Sequence, residues 1–425
     1  MRVWLITIGE GLPIDGENTR LLRTGMLAEV LVSRGHEVEY WTSTFNHSLK
    51  TQRFDSDATL VQKSGLVLKL IHAIPYKANV SLLRMFSHWR LGRRFRQRIR
   101  GEVPPDIIFV SVPIIELGQA ALEYGLPRGI PVILDVRDLW PDCFLSVIPQ
   151  LLRPLGRLAL SPWFALTRKC FHECTAITGV SRGYLDWGLT NADRPKTEWD
   201  GVFPLGYEMR LLQRENIESV SDTEHYLANV GIDPKKVLFI FVGTFGQSYN
   251  LGTVIEAARS LQEEGKSDIQ FIFCGSGDHA PRWKAQARGL TNVVFTGWVD
   301  MKRIRSLLEV VDVGLMPYIQ GATQSLPNKL FEYMAAGLPI LSSLDGEARD
   351  LIESVGCGWS YRSHDREDLL KRVKMMLGPD IRKRLGTAGQ ARFRSEFQAG
   401  SIYCRLAEYL EAMSHQSAIP SPPNS

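Results

Sequence analysis

Cysteine is scarce. Six in 425 residues, at 143, 170, 174, 274, 357 and 404, form no CxxC pair and no disulfide framework, which fits a reducing compartment. Cys170, His172 and Cys174 fall within one helical turn, but without further clustered ligands they read as core or helix-surface residues and not as a metal site. Long apolar runs are missing too. The longest candidate for a signal or anchor, Val3 to Ile8, is far below the roughly 18 residues of a membrane span, so the expected location is the cytoplasm. Charge of one sign is also lacking: 50 basic against 46 acidic side chains give a net +4, so any basic function must come from local clustering. Low-complexity sequence is confined to the tail SAIPSPPNS.

What is present is the composition of a globular enzyme, 44% hydrophobic and 23% charged, on a chain long enough for about two domains. The strand-like run Val3 to Ile8 leads into the loop GEGLPIDGEN, a helical pattern from Arg20 to Ser33, and a second strand, HEVEYWTS. Strand, glycine loop, helix, strand is the unit of a parallel sheet. Further strands read at Asp106 to Val112, Pro131 to Val136 and Thr175 to Val180. The stretch from Arg210 to Pro234 reads as polar and structureless. The pattern then restarts: Val237 to Val242, the loop GTFGQSYNLG, a helix from Thr253 to Glu263, and short strands in FIFCGSG, VVFTGW and VGLMPY. The expected fold class is α/β, two facing Rossmann-like domains with ligands in an interdomain cleft at the carboxyl ends of the strands. The boundaries read as 1–205, a linker at 206–234, a second domain at 235–399, a C-terminal helix at 400–413 packing back on the first domain, and a disordered tail at 414–425.

The stretch QSLPNKLFEYMAAGLPIL, Gln324 to Leu341, joins a polar loop to a short helix. A helix start offers free N–H groups and a partial positive charge, so it suits phosphate. Lys329 lies in the first turn, where a cation opposes the helix dipole unless an anion compensates it. Glu332 lies one turn along, a natural partner for ribose hydroxyls. The stretch predicts a nucleotide site.

MRVWLITIG with RGHEVEYWTS, then FVGTFG with NLGTVIEAA, FIFCGSGD, NVVFTGWV, VDVGLMPY and NKLFEYMAAGLPIL together resemble the family-four glycosyltransferases, retaining enzymes of the GT-B architecture. The resemblance runs from Met1 to about residue 397 and is nearest to bacterial members that act on lipid-linked precursors of O-antigen or capsule. It implies a nucleotide sugar held mainly by the second domain and an acceptor held mainly by the first. Of the family's two glutamates eight positions apart, the second is Glu332, expected on the donor ribose, whereas the first position is Gln324, an amide with no charge for a developing oxocarbenium ion. The loop carrying Gly243 and Gly246 lacks the basic residues many relatives place there. Lys329 is the expected replacement, helped by backbone amides from Ser325 through Asn328 to Leu330. The resemblance places the nucleobase near Gly275 to Gly277 and Gly297 to Val299, without separating uracil from guanine. It puts Asp138 against acceptor or sugar, keeps Arg137 as a phosphate partner, and gives the loop with Gly11 and Gly16 a closing role over phosphate. It implies no cofactor and no catalytic metal, with the leaving phosphate itself taking the acceptor proton in a front-face displacement.

One more segment stands out: residues 84–100, RMFSHWRLGRRFRQRIR, hold seven arginines and no acid. No nucleic-acid motif accompanies them, so nucleic acid is not an expected partner, and an anionic membrane surface or a solvated helix packed on the sheet are the readings. Leu82, Phe86 and Trp89 share one helical face and Leu91, Phe95 and Ile99 the opposite one, so either the helix breaks near Gly92 or one face is core and the other meets lipid. The apolar run from Leu151 to Leu166 reads either as a second lipid contact or as further core. The alternatives to sugar transfer are a sugar-nucleotide 2-epimerase of the same architecture and a nucleotide-binding scaffold without catalysis.

Overall fold

The computed structural model describes residues 1–16, 19, 21–77, 81–146, 148–208 and 219–417. Most of the expected linker's first half, 209–218, and the tail from 418 lie outside them. The chain forms two compact units: Met1–Pro204 together with the chain from Ile402, and Leu205–Ser401.

In the first unit the strands are β1 (Arg2–Ile6), β2 (Glu37–Ser43), β3 (Phe45–Asn46), β4 (Thr51–Gln52), β5 (Ala58–Val61), β6 (Val67–Ile71), β7 (Ile107–Val112), β8 (Val132–Val136), β9 (Ala176–Gly179) and β10 (Gly201–Val202). Eight of them make one sheet in the order β10-β9-β8-β7-β1-β2-β6-β5, parallel except where β5 meets β6; β3 and β4 form a separate hairpin. Strands β7, β8 and β9 are buried throughout, as a sheet covered on both faces requires. The pair β5 and β6 has no counterpart in the sequence reading. Lys69 interrupts its apolar run, yet that ammonium is satisfied by Glu102 at 2.8 Å and lies over the Trp41 ring.

The helix Leu82–Arg98 is unbroken. Gly92 does not end it: a Cβ there would sit 2.7 Å from that of Glu116, so the glycine permits close packing on the helix Ile115–Gly125. Leu91, Phe95 and Ile99 are core, while Leu82, Leu83, Phe86 and Trp89 face outward. The helix Ala399–Ser417 joins the first unit from Ile402: Glu411 takes Arg34 at 2.8 Å and His36 at 2.6 Å, and Tyr409 donates to the Trp199 carbonyl. Those two partners, Arg34 first, hold the Glu411 carboxyl down to about 2.

The second unit has β11 (Val237–Val242), β12 (Ile269–Cys274), β13 (Val293–Gly297), β14 (Val313–Met316), β15 (Ile340–Ser342) and β16 (Gly358–Ser360), all parallel, in the order β13-β12-β11-β14-β15-β16. The reading of 210–234 as structureless needs correction. Val220–Val230 is a helix, started by Ser219, whose hydroxyl accepts from the Asp222 N–H, and stopped by Gly231 at φ 80°. Thr223 and Leu227 supply its buried face, too short an apolar stripe to stand out among the polar residues around it.

Candidate functional site

In a doubly wound parallel sheet the crevice opens where the strand order reverses, beyond the carboxyl ends. In the second unit that point lies between β11 and β14. The loop after β11 folds across it: the Asn250 N–H donates to the Pro317 carbonyl at 2.8 Å and the Ile319 N–H to the Ser248 carbonyl at 3.1 Å. Helix Asn328–Ala336 is brought to the same place by Tyr333, whose hydroxyl donates toward the β11 and β14 carbonyls of Ile240 and Leu315. Its ring fills the space over Gly314, where a Cβ would lie 2.4 Å away.

Lys329 is therefore carried into the crevice. Only 7% of it is exposed, and its ammonium has no hydrogen-bond partner. It rests in an aromatic cage, 4.1 Å from the Phe241 ring centroid, 4.0 Å from Tyr249 and 5.4 Å from Tyr318. Gly243 borders it, since a Cβ there would stand 3.1 Å from Nζ. Burial pushes its pKa down to about 7, against the opposing pull of Glu332, itself nearly buried. Cation–π contacts stabilise an ammonium by roughly 0.5–2 kcal/mol each, which offsets only part of the lost hydration. The helix has no side-chain cap, Pro327 standing at its N-cap, so its first N–H groups have no side-chain acceptor there. A second unsatisfied group belongs to the same loop system: Gln324 donates to the Ser248 hydroxyl at 3.3 Å, while its buried carbonyl oxygen has no partner.

The other expected donor residues divide. The Leu330 N–H is spent on the Pro327 carbonyl at 3.0 Å and is not open as expected; the Ser325 hydroxyl donates to Glu347 at 2.7 Å. Asn328 is exposed at the helix start. Gly275 and Gly277 are dictated by packing: at φ 149° and 155°, a Cβ would meet the Gly243 carbonyl at 1.9 Å and the Phe245 carbonyl at 2.6 Å. Hydrogen bonds lace these loops together, from the Gly243 N–H to Cys274, Phe245 to Ser276 and Gly275 to Gly297. Gly246 has open space around its α-carbon, and Val299 is half-buried beside the exposed Trp298. The cage tyrosines escaped the sequence reading, which sought charge in the loop 244–250; the aromatics GTFGQSYN were the available signal. A surface hollow of about 750 Å³ near Tyr361 and His364 makes a poorer site, because its arginines Arg349, Arg362 and Arg366 already pair with acids.

The reversal point of the first unit, between β1 and β7, is filled from within. Glu10 is buried and accepts from the Thr24 N–H at 3.1 Å, the Thr24 hydroxyl at 2.9 Å and the Gly25 N–H at 3.3 Å, all at the start of helix Arg23–Ser33. Arg137, expected as a phosphate partner, is instead ion-paired to Glu10. Burial opposes its charge, but Glu10 and then Asp135 raise its pKa above the usual arginine value. Asp135 is in turn clasped by the fully buried Arg23 at 2.8 and 2.9 Å. Gly16, at φ 133°, has Thr19 Oγ1 3.9 Å from the place of a Cβ. Asp138, one position on, accepts from the Leu139 N–H at 3.0 Å; burial raises its carboxyl above the ordinary aspartate range although Arg84 stands near.

Comparison with known proteins agrees with this two-part architecture. A family model described as Glycosyltransferase Family 4 matches residues 23–194, and one described as Glycosyl transferases group 1 matches residues 236–378. The amylovoran biosynthesis glycosyltransferase AmsK of Erwinia amylovora is 27% identical over 206 residues, 44% of this chain and 50% of that one, so the match spans half of that relative. Among solved structures, sucrose-phosphate synthase of Thermosynechococcus elongatus is similar with a TM-score of 0.71 at 14% identity, covering 98% of this chain and 99% of that one. HepE of Anabaena, solved in complex with UDP-glucose, is similar with a TM-score of 0.67 at 14% identity, covering 97% and 100%. Two Rossmann-like parallel sheets in GT-B order, with a family-four domain ahead of a group 1 domain, make this chain a member of the glycosyltransferases.

Proposed function

We propose that the protein transfers a sugar, with retention of configuration, from a nucleoside-diphosphate sugar to a lipid-linked saccharide during cell-surface polysaccharide synthesis. The observation that carries this reading is the unpartnered Lys329 ammonium at an uncapped helix start. A diphosphate there gains a buried cation beside a helix start that no side chain caps, and relieves the cost of leaving that ammonium unpaired. Glu332 then takes the ribose, and the unsatisfied Gln324 oxygen accepts from a sugar hydroxyl. Two relatives are consistent with the polysaccharide setting and with the donor class: AmsK is described as an amylovoran biosynthesis glycosyltransferase, and HepE was solved with UDP-glucose. Nothing favours the 2-epimerase.

Among the described residues no helix is long and apolar enough to cross a membrane. The first unit nonetheless presents Leu82, Phe86 and Trp89 on one helix and Leu151, Leu155 and Leu158 further on, Leu151 at 93% exposure, amid Arg90, Arg93, Arg153 and Arg157. Apolar side chains set among arginines suit the anionic inner face of a cell membrane, where a lipid-linked acceptor is met.

A melting-temperature panel against UDP, GDP and their sugars tests the donor site. Ligand at a hundredfold its Kd adds about 2.7 kcal/mol, and Lys329→Ala or Glu332→Ala should remove the gain. If no diphosphate raises the melting temperature of the wild type, the reading is wrong. Gln324→Glu separates an enzyme from a scaffold: donor turnover should change severalfold in the first and stay at zero in the second.

A further inference from the structure

The turn that leaves β16 is set apart by its backbone. Arg362 to Asp365 closes with the Asp365 N–H on the Arg362 carbonyl at 3.1 Å, and His364 within it lies in the left-handed region at φ 64°. Both ends of the turn are fixed. The Tyr361 N–H donates to the Ser342 carbonyl at 2.9 Å and the Arg362 N–H to Asp368 at 2.9 Å, while Asp365 accepts from the Asp368 N–H at 2.9 Å and so caps the helix Arg366–Met375. Glycine takes this backbone with less strain, so the fold alone gives no reason for an imidazole here.

His364 is exposed, and among the described residues its ring has one hydrogen bond: the Asn250 side-chain amide donates to Nδ1 at 3.0 Å. The same amide donates to Thr253 Oγ1 at 2.7 Å, and Asn250 Oδ1 accepts from the Thr253 N–H at 3.4 Å, capping the helix Leu251–Glu263. The residue before Asn250 is Tyr249, a wall of the Lys329 cage. Tyr318, the other tyrosine of the cage, is tied to the same turn: its carbonyl accepts from the Ser363 hydroxyl at 2.8 Å and from the Ser343 hydroxyl at 2.8 Å. The two tyrosine rings stand 4.8 Å apart and their residues pair in an isolated antiparallel bridge. One strained turn thus reaches both tyrosines.

We infer that His364 is a positioning residue for the donor site: its ring, through Asn250, fixes the loop 244–250 so that Tyr249 stays against the Lys329 ammonium. The inference rests on the transfer reading above and deepens it, since part of the donor affinity then depends on a side chain that acts only through another. The physical link is desolvation. Lys329 Nζ has no hydrogen bond to hold it, so the spacing of the rings around it decides how much water reaches the charge. A loop released from His364 lets water in, and a hydrated ammonium attracts a diphosphate less strongly than a desolvated one.

The test is titration calorimetry on the full chain with the nucleoside diphosphate that the melting panel selects, run beside melting scans. His364→Gly and His364→Asn both suit the left-handed backbone and both lack the imidazole. Each should weaken nucleotide binding at least threefold while the melting temperature of the unliganded chain stays level or rises, a pairing that a role in stability alone does not produce. Asn250→Ser keeps a helix cap but does not reach the ring, so it should weaken binding to a similar degree, and adding His364→Gly to it should change nothing further. The pH profile gives a second readout. The titratable groups that face Lys329 are Glu332, Tyr249 and Tyr318, and none of them is altered in His364→Gly. A cage that admits water should therefore raise the Lys329 pKa from about 7 and move the fall in nucleotide affinity to higher pH than in the wild type. Unaltered affinity in both His364 variants, weaker binding matched by a lower melting temperature in both, or effects of His364→Gly and Asn250→Ser that add in full, overturns the positioning role and leaves the donor reading in place. No nucleotide binding by the wild type sinks the donor reading itself. Should Asn250→Ser fail to fold, the two His364 variants decide.

Discussion

The two sheets treat their reversal points in opposite ways. In the first unit the helix start beyond β1 is closed by the chain's own carboxylate, Glu10, which also satisfies Arg137. In the second, the helix start beyond β14 keeps its N–H groups without a side-chain cap and holds Lys329 against aromatic rings without a hydrogen-bonding partner. A parallel sheet offers the same invitation to an anion in both places. The chain answers it internally in one and leaves it standing in the other. That asymmetry is the physical ground on which the nucleotide site is proposed in the second unit and not in the first.

The strongest way to break the comparison is Glu10→Ala. It strips a buried arginine of its partner and uncaps a helix at once, so urea unfolding should show a loss of about 3–5 kcal/mol. A loss under about 1 kcal/mol would mean that Glu10 is not the internal anion described. Lys329→Met should act in the other direction, removing an unsatisfied buried ammonium and stabilising the unliganded chain by about 1 kcal/mol or more, roughly 2–4 °C for a unit of this size.

The pH dependence of that gain has a definite sign. With the folded pKa of Lys329 held at about 7, below the usual 10.5, the folded state binds the proton less well than the unfolded one. The penalty is full below pH 7 and fades as the pH rises toward 10.5. Melting scans should therefore separate Lys329→Met from wild type more at pH 6 than at pH 10. Binding of a nucleotide sugar, whose diphosphate does not titrate in this range, should weaken in the wild type as pH rises above 7 and stay flat in Lys329→Met. The smallest effect is expected from Gly243→Ala, whose Cβ would press on both Lys329 Nζ and the Phe241 ring at 3.1 Å. A severalfold weaker donor affinity, read by the same calorimetry with little change in melting temperature, would sharpen the picture of a tight cage.

Much of the architecture was legible because strands buried on both faces write continuous apolar runs, as Val237–Val242 and Ile107–Val112 do. The two faces of Leu82–Arg98 were legible as well, since helical spacing separates Leu91 and Phe95 from Phe86 and Trp89, although the sequence left open whether Gly92 breaks the helix. Strand β6 was not, because Lys69 looks like a surface residue until Glu102 and Trp41 are brought to it. At the site, Lys329 announced itself by its place in a helix first turn, whereas its cage needs Tyr249, eighty positions earlier, which no local pattern ties to it. Arg137 misled for the same reason: its partner lies 127 residues away, in the first loop.

The return of the chain to the first unit at Ile402 has a practical meaning for anyone cutting or recombining this protein. The second unit is an insert with two junctions, not a terminal half. A fragment ending at Pro204 would lack Leu406, Leu410 and Met413, all buried, and the Glu411 carboxylate that holds Arg34 and His36. Exchanging the second unit between relatives therefore calls for replacing the stretch 205–401 as a cassette, with the last helix left in place; a single crossover in the middle of the gene would swap that helix too and mismatch it with the first unit.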